Sequence, residues 1–292
     1  MCALSSLTSA YELGVTFPSS NFCAGTDNHT DGRRDPLPTP DSPPIATLPI
    51  EAARTRLLEL LSNNGECVLP CLWGIAPGET SVEEALTTVL PLSGLSEITG
   101  CLSSVCTIIP SIKEGEQHLH VALSLLYNEA GIVTAMEFHA RQLYTVPAGE
   151  KYGQMEVYGS QSFAERAAFY MLPNVLSLNG IPASVMISTS GGSPNGEGTR
   201  AFDILLMYPD DGLLVNYVTQ AKVLGDKLLG CPSPSDGNVE MELFPPGHES
   251  TFMALLEQTD WPLKLSLYRP LQDVSSLSVE EFFEVFRDGL GQ

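Results

Sequence analysis

Leu125-Leu126-Tyr127-Asn128-Glu129-Ala130-Gly131-Ile132-Val133 returns 81 positions later as Leu206-Met207-Tyr208-Pro209-Asp210-Asp211-Gly212-Leu213-Leu214. In each copy an apolar run ends in Tyr, passes three residues and a Gly suited to positive φ, and resumes as a second apolar run, which reads as a β-hairpin. A short helical pattern closed by Gly precedes each copy, from Val82 toward Gly94 and from Leu172 to Gly180. The fold class read from this is α+β: two degenerate helix-plus-antiparallel-sheet repeats, followed by a C-terminal strand and helices. The chain divides into a leader and linker over residues 1–47, a first unit over 48–160, a second over 161–224 and an extension over 225–292.

Working outward from the first hairpin, Ile50 to Leu61 carries Ala53, Leu57, Leu58 and Leu61 at helical spacing and ends at Asn63-Asn64-Gly65. Ser81-Val82-Glu83-Glu84 has capping-box spacing, as does Ser278-Val279-Glu280-Glu281, which opens a last helix expected to bury Phe282, Val285 and Phe286. Strands are expected over Val105 to Ile109, Gln117 to Tyr127, Ile132 to Tyr144, Gln154 to Tyr158, Ser184 to Thr189 and Val239 to Phe244. Gly191-Gly192-Ser193-Pro194-Asn195-Gly196-Glu197-Gly198 has no helix after it and no basic residue in phosphate-loop position, so it reads as a connector.

Composition narrows the function classes. With 14 Lys+Arg against 35 Asp+Glu the formal charge is −21, so nucleic-acid backbones and anionic membrane surfaces repel the chain and nucleic acid is excluded as a partner. Hydrophobic residues make up 43% of the chain, enough for sizeable cores, yet no stretch approaches the roughly 20 apolar residues of a spanning helix. No integral membrane span is expected. The first 24 residues contain no Lys or Arg and carry Glu12, so no ordinary signal peptide is visible; the Pro-rich run Asp35 to Pro44 is too polar to bury and reads as a linker. Cys67 with Cys71, and Cys101 with Cys106, are either two disulfides of an exported protein, a four-thiolate zinc site or free buried thiols, and Cys231 stands alone before Pro232.

Cys67-Val68-Leu69-Pro70-Cys71-Leu72-Trp73-Gly74-Ile75-Ala76-Pro77-Gly78-Glu79-Thr80 resembles the signature C-x-L-P-C-W-W-G-I-x-P-G-x-T of uncharacterised bacterial proteins, many exported or lipid-anchored, with Leu72 where the signature has its first Trp. The likeness continues through Tyr208-Pro209-Asp210-Asp211-Gly212, Gly230-Cys231-Pro232 and Leu277 to Phe283. More loosely, the unit is similar to small outer-membrane-assembly lipoproteins and to secreted inhibitor proteins built from two such units. The resemblance implies an extracellular or cell-envelope location, with a cytoplasmic one as the alternative. It carries no activity.

Two site readings follow from residue types. With a four-residue turn over Asn128 to Gly131, Tyr127 faces Ile132 and His120 faces His139; His118, His120, Glu137, His139 and Arg141 then share one face, and His118, His120 and His139 form a candidate metal site. The alternative for the same residues is a solvated polar face. Trp73, in a loop stiffened by Pro and Gly, is a candidate binding anchor, with core packing as its alternative. Gly-x-Ser-x-Gly and His-Glu-x-x-His are absent, and Asp210-Asp211 sits where turn geometry alone favours Asp. The chain is thus read as a non-enzymatic binding protein without a cofactor, its partner a protein or small ligand, with a metal-binding protein or metal-dependent enzyme as the alternative.

Overall fold

A computed structural model describes residues 46–102, 104–145, 154–156, 160–188, 198–224, 227–229, 238–247, 249–257, 259 and 261–288, and in it both repeated stretches are hairpin turns of one antiparallel sheet. The leader over 1–45, residues 191–197 of the glycine-rich connector and Cys231 lie outside the described residues. Two helices open the described chain, α1 (Ile50–Asn63) and α2 (Val82–Val89). Four strands follow, β1 (Ser96–Leu102), β2 (Val105–Glu114), β3 (Gln117–Tyr127) and β4 (Val133–Thr145), with a short β5 (Gln154–Glu156) beside β4. The second half holds α3 (Gln161–Arg166) and α4 (Leu172–Asn179), then β6 (Ser184–Ser188), β7 (Gly198–Tyr208) and β8 (Leu213–Leu224), with β9 (Lys227–Leu229) against β8. The chain continues through β10 (Asn238–Leu243), α5 (Glu249–Leu256), α6 (Trp261–Leu265), β11 (Arg269–Pro270), α7 (Leu271–Val274) and α8 (Val279–Phe286).

The strand order is β1-β2-β3-β4-β10-β8-β7-β6-β11. Strand β10 is therefore the seam: it pairs antiparallel with β4 on one side and β8 on the other, joining the two meanders into a continuous sheet.

From β2 to β6 one face of the sheet carries the main core. Leu119, Val121, Leu123 and Leu125 from β3, Met136 and Phe138 from β4, and Phe202, Ile204, Leu206, Leu213, Val215 and Tyr217 from the second hairpin all join one core with the buried faces of α1, α4 and α8. Period-two alternation in the strands and the helical stripe Ala53, Leu57, Leu60 and Leu61 make that core possible. Helices α2 and α8 both start in complete capping boxes, Ser81 with Glu84 and Ser278 with Glu281. Val285 departs from expectation at 42% exposure, because the inward stripe of α8 runs through Phe282 and Phe286, one full turn apart. The stretch Ser96–Leu102, interrupted by Gly100, shows little strand periodicity in sequence; as β1 it pairs with β2.

The second hairpin has the expected register, with Tyr208 opposite Leu213 and the ladder running unbroken to Gly198 opposite Val223. The first does not. Tyr127 lies opposite Val133, not Ile132, and a bulge then puts Leu126 opposite Ala135. Part of the cause is local: the Asn128 side-chain oxygen accepts the N–H groups of Ala130 and Ile132, both at 3.0 Å, drawing Ile132 into the loop. Ile132 pairs instead with Ser81, and Val82 N–H donates to Gly131 O at 2.7 Å. Pro209, at the corresponding place in the second turn, has no side-chain oxygen with which to do this.

Candidate functional site

The other face of the sheet is divided. Over its second half α5 and α6 form a wall, with Phe252, Leu256 and Trp261 packing on Leu205, Met207, Leu214, Phe244 and Ala135. Beyond the wall, His120 and Ser124 from β3 and Glu137, His139 and Arg141 from β4 remain partly exposed. The alternation of the strands places these side chains together on the polar face, as expected, but the bulge shifts their neighbours. His120 stands opposite Arg141 and His139 opposite Ala122, so the expected His120–His139 pair does not form.

The three imidazoles sit in different surroundings. Ser111 Oγ lies 3.3 Å from His120 Nδ1, and His118 is 7% exposed. His139 Nδ1 lies 2.9 Å from Arg141 Nη2 and 3.4 Å from Glu240 Oε1, so a neutral His139 accepts from the guanidinium and a protonated one donates to the carboxylate. Among the described residues no group of three or more His, Cys, Asp or Glu is arranged to hold a metal ion.

Strand β10 completes the site. Glu240 also receives Arg141 Nη2 at 3.3 Å and Asn216 Nδ2 at 3.3 Å, and Tyr268 OH donates to Asn216 Oδ1 at 3.1 Å. Burial alone would raise the Glu240 carboxyl; the hydrogen bond and charge of His139, then the charges of Arg141 and Lys264, outweigh it and hold the group at about 2. The Tyr268 hydroxyl is pushed far above the ordinary tyrosine range by burial and by the nearby Asp203 and Glu240 charges. One residue pair further along β10, Glu242 accepts the Trp261 indole N–H at 2.9 Å, tying the wall to the seam. A carboxylate held this low is a weak base at neutral pH, and a tyrosine held this high keeps its proton.

Comparison with family models, curated proteins and solved structures found no match.

The cysteine expectations resolve cleanly. Cys67–Cys71 and Cys101–Cys106 are both at disulfide distance, with Cα–Cα separations of 5.8 and 4.0 Å. The first closes the loop after α1, around Asn64. Asn64 is fully buried: its amide N–H groups reach Cys67 O at 2.9 Å and Cys71 O at 2.8 Å, and its oxygen accepts from Trp73 N at 3.2 Å and Tyr170 OH at 2.9 Å. Trp73 belongs to this hub. At 2% exposure, edge-on to Phe138 with ring centroids 5.8 Å apart, it is a core residue and not a surface anchor. Asp210 and Asp211 do turn work, with Asp211 N–H donating to Tyr208 O and Asp210 O accepting from Gly247.

Glu240, Asn216 and Tyr268 escape sequence reading because they come from three separate elements of the second half. The one available signal was Glu240 and Glu242 sharing a face on an otherwise apolar strand, and alternation alone does not say which strand they meet.

Proposed function

We propose that this is a non-enzymatic binding protein of a bacterial cell envelope or exterior, and that it recognises its partner, a protein or small polar ligand, through the polar face of β3 and β4 beside α6. The observation that carries the reading is the asymmetry of the sheet. One face carries the main core from β2 to β6 and half of the other is roofed by α5 and α6, while the remainder keeps His120, Ser124, Glu137, His139 and Arg141 partly exposed on a rigid ladder. Side chains fixed on a sheet recognise a partner at low entropic cost. The Arg141–Glu240–Asn216 hydrogen bonds hold the foot of that surface in place. The two disulfide pairs support an oxidising compartment, since such bonds persist outside the reducing cytosol.

The test is site-specific photo-crosslinking in the producing cells, with a photoreactive residue at Ser124 on the polar face or at Glu59 on the outer side of α1. The expected result is a discrete adduct from Ser124, lost when Arg141 is also replaced by Ala, and none from Glu59. Equal adducts from both positions, or none from Ser124, would overturn the assignment.

A further inference from the structure

We propose that the open edge of β1, together with the apolar cleft between β1 and α2, is a docking groove for an extended segment of a partner protein bearing aliphatic residues at alternate positions and basic flanks. The inference goes beyond the polar face, since the groove lies at the sheet edge and toward the helices.

Strand β1 ends the strand order, and among the described residues it has a ladder partner on one side only. Cys101 and Cys106 sit directly opposite each other with Cα atoms 4.0 Å apart. That is the close spacing of a pair that does not exchange backbone hydrogen bonds, so the N–H and C=O of Cys101 point away from β2 toward the open edge. Two residues back, Thr99 has the same phase, and Thr99, Gly100 and Cys101 are all exposed. Natural sheets blunt such edges with Pro, charge or shortness. The far edge does: β11 is two residues long and ends in Pro270. Strand β1 has seven residues and no Pro; its one charge, Glu97, and its bulge both fall before Thr99, which leaves Thr99 to Cys101 regular, and a disulfide to its neighbour keeps its end from fraying.

The side chains of Thr99 and Cys101 point to the helix side of the sheet, where a cleft of about 110 Å³ opens between the hairpin and α2. Leu86 and Val89 line it from the helix, and Cys106, Ile108 and Leu125 line it from the sheet. A cavity near 150 Å³ holds a benzene ring, so this one takes a side chain of valine or leucine size. A strand added to β1 hydrogen-bonds with Thr99 and Cys101, and the residues it sets opposite them project into the cleft, because directly paired residues share a face. Main-chain bonds supply affinity and the pocket supplies selectivity, the logic of strand addition. Charge completes the complementarity. The chain carries −21 overall, and exposed Glu83 stands one helical turn before Leu86, so a segment flanked by Lys or Arg is attracted.

The test begins with selection of a randomised heptapeptide display library on the full-length oxidised protein. Enriched sequences are expected to carry Val, Ile or Leu at alternate positions with Lys or Arg at the ends. A fluorescent copy of the winner should lose affinity by at least about tenfold on Thr99→Pro, the equivalent of one or more lost main-chain bonds, and keep it on Thr99→Val. Proline there removes the outward N–H and none of the β1–β2 bonds, so an unchanged melting curve and a closed disulfide verify the fold. Leu86→Phe, which fills the cleft, should weaken the same peptide. Enrichment without alternating aliphatics, or equal binding to Thr99→Pro, overturns the proposal. So does a concentration-dependent dimer of the wild type that Thr99→Pro abolishes, since the edge would then belong to a second copy. None of the three variants touches Ser124 or Arg141, so the polar-face reading stands or falls separately.

Discussion

The Trp73 indole N–H donates to the Tyr170 hydroxyl at 3.0 Å, joining the disulfide loop after α1 to the segment between α3 and α4. The same hydroxyl donates to Asn64 Oδ1 at 2.9 Å and lies 3.2 Å from Leu60 O, and burial holds it protonated far above the ordinary tyrosine range. Tyr170→Phe keeps the ring and strands a buried indole donor, so it should cost about 1–3 kcal/mol of unfolding free energy in a urea titration. Asn64→Ala, which removes two donors and an acceptor shared by two partners, should cost more than Tyr170→Phe. A smaller loss would mean that the loop is held by its disulfide alone.

The glycines that close the two hairpin turns are expected to respond differently to the same substitution. Both have positive φ, +75° at Gly131 and +66° at Gly212. A Cβ on Gly131 meets only Val82 Cγ1, at 3.9 Å, so Gly131→Ala carries the backbone penalty of about 1–2 kcal/mol. A Cβ on Gly212 runs into the Phe244 carbonyl and comes within 2.9 Å of Pro245 O, where the chain leaves β10. Gly212→Ala should therefore cost roughly 3 kcal/mol or more, read as a lower guanidinium midpoint at unchanged slope.

Acid should selectively remove the contribution of the seam. The Glu240 carboxyl sits at about 2 in the folded chain against an ordinary value of 4.5. Because the folded value is the lower, its stabilisation is present in full above about pH 4.5 and is lost as pH falls toward 2. The stability gap between wild type and Glu240→Gln should be of the order of 3 kcal/mol near pH 5 and should close as pH falls to 2. A gap constant over that range would show that His139 and Arg141 do not hold the carboxylate.

Thiol counting checks the covalent frame. Cys67, Cys71, Cys101 and Cys106 pair, so alkylation of natively isolated protein under denaturing, non-reducing conditions should label at most three of the seven cysteines. Labelling of all seven would place the native protein in a reducing compartment and remove the main support for an exported role.

Local chemistry was enough to read the hairpin turns, the helices α1, α2, α4 and α8 and the two faces of the strands from the chain; the short α3, α6 and α7 were not read. Alternation assigns Phe202 through Tyr217 to the core, the Ser81–Glu84 and Ser278–Glu281 spacings open their helices, and Asn63-Asn64-Gly65 ends α1, because each signal acts within a few residues. Register in the first hairpin was beyond that reach, since the Asn128 side chain and the pairing of Ile132 with Ser81 together decide it, and Ser81 lies across a helix and three strands. The tertiary structure alone decided that Trp73 is buried, by setting Tyr170 and Phe138 against it, and that Glu240 meets His139, by threading β10 between two meanders. Period-two patterning states which way a side chain points; which strand lies next to it is a matter of long-range packing, in which the whole apolar surface competes at once.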